Sequence, residues 1–121
     1  MIAVLFEVWI AGGRSADYLA HAAALKDELG RIDGFVSVER FESLSTPGKL
    51  LSLSFWADEA AVARWRNHER HCAAQAAGRD GLFADYRMRV AAVLRDYGMR
   101  EHREAAPEDL RASAAPGSEA S

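Results

Sequence analysis

The sequence predicts an α+β domain of the ferredoxin-like kind, β-α-β-β-α-β, with a four-stranded antiparallel sheet and two helices on one face. Three observations carry that expectation. Stretches rich in β-branched and aromatic residues, bounded by Gly, Pro and Asp, occupy residues 2–10, 35–44 and 49–56, as strands do. A segment with apolar residues three and four apart follows the first of them, and a capped helical segment follows the third. An alternating stretch then closes the order. At 121 residues the chain suffices for one domain and is short for two. Its composition, 50% hydrophobic and 27% charged, is that of a globular protein.

The first strand is Ile-Ala-Val-Leu-Phe-Glu-Val-Trp-Ile, residues 2–10, with Glu7 as the charge inside it. Gly12-Gly13 breaks the run, and Ser15 is a suitable N-cap for a helix beginning at Ala16. Tyr18, Ala22, Leu25 and Leu29 give that helix one apolar stripe, and Gly30 stands where a left-handed C-cap belongs. Asp33-Gly34 turns the chain into a second strand, Phe35 to Leu44. Pro47-Gly48 then returns it as a third, Lys49 to Trp56, in a hairpin with the second. Asp58 can cap a second helix over Glu59 to about Ala77, interrupted by Gly78 and Gly81. The stretch from Asp85 to Tyr97 has two readings. Ala91, Ala92 and Leu94 favour a helix, whereas Tyr86, Met88, Val90, Ala92 and Leu94, alternating with Arg87 and Arg89, favour a strand. A strand is expected.

The domain so defined spans residues 1–98. Residues 99–121 form an Ala/Pro/Glu-rich tail holding Pro107, Pro116 and the single leucine Leu110. Such a segment offers little apolar surface against its ordering entropy. It is expected to be flexible, or else an arm laid along a partner subunit with Leu110 as its anchor.

The strands themselves predict a partner. A sheet covered by helices on one side only should turn polar on the other. On the first strand, however, Ile2, Val4, Phe6, Val8 and Ile10 share one face, while Ala3, Leu5 and Trp9 share the other. The third strand places Leu51, Leu53 and Phe55 on one side, Leu50 and Trp56 on the other. Both faces require cover, so an obligate homodimer is expected, with the bare faces of two sheets packed together.

Several function classes are excluded. A net charge of −3 does not suit a nucleic-acid protein held by phosphate contacts. A lone cysteine, Cys72, makes no internal disulfide and no cysteine-based zinc site. The sequence lacks an apolar run long enough to span a membrane and a secretory leader pattern, so a cytoplasmic location is expected. Gly12-Gly13-Arg14 is no phosphate loop, and the chain holds no nucleophile elbow. His68 and His71 stand three apart, a weak metal signal beside HxxxH with a carboxylate; no metal is expected.

Candidate chemistry concentrates in the second helix. Helical spacing sets Trp65, His68, Cys72, Gln75 and Arg79 on one stripe: an aromatic ring, a titratable base, a thiol, an amide and a cation. Facing the sheet, these would border an apolar pocket with a few convergent polar groups, the anatomy of a small-molecule site. Each also has a plainer reading. Trp65 can be a core anchor, His68 a structural histidine, Cys72 a small buried hydrophobe and Arg79 a loop cation. Glu7, mid-strand among apolar neighbours, needs a partner such as Arg87, Arg89 or Arg40. It is either a structural ion pair or an acceptor lining the pocket. Tyr86 and Tyr18 could each donate a phenolic hydrogen bond to a ligand.

The element order, the segment Ile-Asp-Gly-Phe-Val-Ser-Val-Glu-Arg-Phe (32–41), Leu-Leu-Ser-Leu-Ser-Phe-Trp (50–56) and Ala-Val-Ala-Arg-Trp (61–65) resemble the antibiotic biosynthesis monooxygenase family over about residues 1–98. The resemblance implies a dimeric α+β barrel. For activity it implies a cofactor-independent monooxygenase acting with dioxygen on a small aromatic or phenolic, quinol- or anthrone-like, molecule. His68 would then be the base, Trp65 would stack the ring, and Gln75, Arg79, Glu7, Tyr86 and Cys72 would contact the substrate. Haem-degrading relatives place a His ten residues after the Trp; here Gln75 stands there, and an amide is a poor iron ligand. The alternative from another class is a non-catalytic ligand-binding or structural dimer, marked by a filled interior around Trp65.

Overall fold

A computed structural model describes residues 1–72 and 82–108. It contains β1 (Ile2–Ile10), α1 (Ser15–Leu29), β2 (Phe35–Glu42), β3 (Lys49–Trp56), α2 (Glu59–Cys72), β4 (Phe83–Ala92) and a short 3-10 helix, Arg103–Ala105. The strands form one antiparallel sheet in the order β2-β3-β1-β4, the ferredoxin-like arrangement. Strand β1, one of the two inner strands, sets Val4 opposite Ser54 on β3 and Val90 on β4.

Ends of elements depart from the expectations for local reasons. Helix α1 starts at Ser15 with Arg14 at its N-cap and no side-chain cap bond. Arg14 Nε instead meets Asp17 Oδ2 at 2.7 Å across the first turn. Gly30 is right-handed helical rather than left-handed, and its N–H still reaches the Lys26 carbonyl. Strand β2 stops at Glu42 because Ser43 begins a turn, its Oγ accepting the Thr46 N–H at 3.0 Å. Strand β4 ends at Ala92, short of Tyr97. The last bond along this pair runs from the Val93 N–H to the Met1 carbonyl. Asp58 caps α2 as expected, its Oδ1 accepting the Ala61 N–H at 2.9 Å. The expected continuation to Ala77 and the Gly78 and Gly81 break fall outside the described residues. In the C-terminal segment, the 3-10 helix leads directly to a buried Ala106.

One core forms between sheet and helices. Trp56, 1% exposed, packs with Val4, Leu29 and Ala61, flanked by Phe35, Val62 and Trp65. Its indole N–H donates to Ser54 Oγ at 2.9 Å, so the ring is buried without an orphaned donor. Both helices contribute to this face, while Ala3, Leu5, Leu51, Leu53 and Phe55 occupy the opposite one, with no helix over them among the described residues.

Glu7 lies on that second face. Lys49 Nζ stands 2.7 Å from its Oε2, and the Arg89 guanidinium holds Oε1. Arg40, a candidate partner, instead projects on the helix side, and Arg87 lies opposite Glu7 in register without bonding it. The Lys49 and Arg89 hydrogen bonds lower the Glu7 carboxyl below its ordinary value of 4.5. A lowered carboxyl contributes stability above its unfolded value and loses it as pH falls through the folded one. Between pH 6 and 3.5, the thermal midpoint of the wild type should therefore drop further than that of Glu7→Gln; equal drops would refute the coupling.

Candidate active site

The core is not filled throughout. Between the sheet and the two helices lies a cavity of about 670 Å³, within the range of small-molecule sites. Its floor is the helix-facing side of the sheet: Val4 and Phe6 on β1, Val38 and Arg40 on β2, Ser52 and Ser54 on β3. Tyr86 and Met88 on β4 extend it. The roof combines Tyr18, His21 and Leu25 of α1 with Val62, Trp65 and Arg66 of α2. Aromatic rings crowd one end. Phe6 stands 5.8 Å from Phe83 and 5.6 Å from Tyr86, and Tyr18 packs edge-on against Phe83 at 5.8 Å.

Of the residues singled out in the sequence, Tyr18, Trp65 and Tyr86 line this cavity. His68 does not. The inward stripe of α2 is set by Ala61, Val62, Trp65 and Arg66, which leaves His68 on the flank that meets α1. There its Nε2 lies 3.4 Å from Glu28 Oε2, and its ring stands 5.7 Å from that of Trp65. Glu7 is excluded from the lining by strand alternation, being on the far side of the sheet. Cys72 is described only as the last residue of α2, and Gln75 and Arg79 lie outside the described residues.

Two lining residues were not expected there: His21 was not singled out, and Arg40 was weighed only as a partner for Glu7. His21 sits three residues after Tyr18 and four before Leu25, on the same stripe of α1, a spacing that marks it as inward-facing. Arg40 shares the parity of Val38 on β2, and that alternation is its signal.

Among the described residues no group of three or more His, Cys, Asp or Glu could hold a metal ion, and no helix is long and apolar enough to cross a membrane. The described donor set also does not fit a haem held from α2, because His68 is turned to Glu28 and away from the cavity.

The family model described as antibiotic biosynthesis monooxygenase matches residues 1–77. A protein named jasmonate monooxygenase ABM, from Pyricularia oryzae, is 47% identical over 93 residues, which are 77% of this chain and 43% of that protein. The chain thus spans less than half the length of this relative. SnoaB, a cofactor-independent oxygenase from Streptomyces nogalater, superposes with a TM-score of 0.65 at 14% identity, over 78% of this chain and 94% of its own. MhuD, crystallised with two manganese protoporphyrin IX molecules per active site, superposes with a TM-score of 0.66 at 14% identity, over 81% and 99%. These two likenesses are likenesses of fold.

Proposed function

This chain belongs to the antibiotic biosynthesis monooxygenase family, and from that premise we propose that it oxidises a small aromatic or phenolic molecule with dioxygen and no bound cofactor. The observation that carries the reading is the ring-lined cavity between sheet and helices, with one imidazole in its roof. The jasmonate monooxygenase relative supports oxygen insertion into a small organic molecule; the SnoaB likeness shows that this fold accommodates cofactor-free chemistry.

Oxidising a methylene to a carbonyl releases four electrons, which reduce dioxygen to the carbonyl oxygen and one water. An anthrone-like substrate therefore needs no external reductant. What the protein must supply is a binding site, a base and shelter from water. His21 is the base in this reading, because an imidazole nitrogen can accept a proton and this ring borders the cavity. Trp65 and Tyr86 pack on the substrate ring. An open cavity beside Trp65 also weighs against a purely structural dimer.

The test is dioxygen uptake by metal-free protein with 1,8-dihydroxyanthrone and no added reductant. One dioxygen consumed per substrate, undiminished by EDTA, is expected. No protein-dependent uptake would overturn the oxygenase reading in favour of a ligand-binding module.

We further propose that a second copy covers the bare sheet face. Leu5, Leu51, Leu53 and Phe55 form an apolar patch there, and Phe41 is 43% exposed in the single chain, a surface that lone domains rarely leave open. Leu53→Asp would place an unpaired charge in that contact. Sedimentation should then give half the wild-type mass with the circular dichroism retained; an unchanged mass would refute the interface.

A further inference from the structure

The oxygenase reading leaves Arg40 without a task. Its Nε is fully buried and has no hydrogen-bond partner. Buried N–H groups are nearly always paired, and an unpaired one calls for an explanation. Arg40 lies opposite Ser52 in the β2–β3 register, and both residues line the cavity. Asp85, the described acidic residue of the lining, already accepts the Tyr86 N–H at 2.8 Å. Among the described lining residues, the guanidinium groups of Arg40 and Arg66 stand against the carboxylate of Asp85, in a space otherwise lined mainly by aliphatic and aromatic side chains.

We infer that this cavity takes an organic carboxylic acid as its anion, the carboxylate seated on the Nε edge of Arg40 and the apolar body lying toward Phe6, Val38 and Trp65. That edge of a guanidinium, Nε with one Nη, meets a carboxylate through two parallel N–H···O bonds. The Ser52 hydroxyl, beside it across the strand pair, donates a third bond to the same group. Arg40 thereby sets substrate class and orientation, fixing which end of the molecule reaches His21. The inference rests on the cavity being the substrate site, as proposed above, and adds the charge of what enters it.

Calorimetric titration with 1-naphthaleneacetic acid and with 1-naphthaleneacetamide tests it, since the two differ only in the charged group. The acid is expected to bind wild-type protein about 10- to 100-fold more tightly than the amide, as suits charge-assisted hydrogen bonds. Arg40→Gln should bring the acid down to the amide's affinity and leave the amide within about threefold. Arg40→Lys, which keeps the charge but loses the planar edge, should fall between. Equal binding of acid and amide by the wild type overturns the inference, as does absence of saturable binding by either. An Arg40→Gln variant that weakens both alike overturns it too. Should Arg40→Gln fail to fold, the wild-type ratio decides alone. Tight acid binding without dioxygen uptake would sink the oxygenase reading and leave this assignment standing; uptake with equal acid and amide binding would do the reverse.

Discussion

Replacing His21 with alanine is expected to lower dioxygen-dependent turnover by about 10²- to 10⁴-fold, the usual contribution of a positioned general base. Substrate affinity should change far less, because the ring contacts come from Trp65, Tyr86 and the Phe6–Phe83 end of the cavity. The loss should also depend on pH in a diagnostic way. Once solvent hydroxide has ionised the substrate, no base is required, so His21→Ala should regain activity toward the wild type as pH rises through the substrate's own pKa. His68→Ala supplies the contrast. His68 touches Glu28 outside the cavity, and a partly exposed pair of this kind contributes at most about 1 kcal/mol, so turnover should hold. A large loss in His68→Ala with His21→Ala unaffected would return the base to α2.

The largest effect on stability is expected from Gly34→Ala. Gly34 has φ +92°, and an added Cβ would stand 2.6 Å from the Cβ of Ala61, a residue with no exposure at all. The turn cannot simply shift away. The Gly34 carbonyl accepts the Ala57 N–H at 2.7 Å, and Arg64 grips the neighbouring Asp33 carbonyl through Nε and Nη2. Left-handed strain costs about 1–2 kcal/mol and overpacking about 1–3 kcal/mol. Together they predict a loss of roughly 3 kcal/mol and a thermal midpoint lower by roughly 10–20 °C. Adding Ala61→Gly should recover the steric part and leave the backbone part. A single variant as stable as the wild type would show that α2 does not press on this turn.

Strand alternation made the sheet legible from the residues. The parity of Ile2, Val4, Phe6 and Val8 against Ala3, Leu5 and Trp9 predicted two faces and assigned each residue to the correct one. Helix phase was harder to read. On α2 the stripe through Trp65, His68 and Cys72 was chosen for its chemistry, whereas burial follows Ala61, Val62 and Trp65. These two stripes differ by a fraction of a turn, enough to move His68 from the cavity to the α1 flank. Small residues such as Ala61 carry little hydrophobic signal, yet they permit the closest helix–sheet approach and so set the phase. His21 was passed over, and Arg40 was considered only as a partner for Glu7, for a related reason. Each is a polar residue at an inward position, where a pattern of apolar residues leaves a gap. The far end of β4 was unreadable from its own alternation, because a strand ends where its pairing does, and the β1–β4 ladder closes with the Val93 N–H on the Met1 carbonyl.

The opposed positions of Arg40 and Glu7 on a single sheet have a consequence for how such a protein can diversify. Successive residues of one strand face different neighbours, since Val4 and Phe6 of β1 border the cavity while Leu5 and Glu7 lie on the face of the proposed subunit contact. A drift in substrate scope through Phe6 or Arg40 therefore need not disturb the Glu7, Arg89 and Lys49 cluster. The two-residue repeat of a β-strand thus lets substitutions on the cavity face and on the face of the proposed contact vary independently.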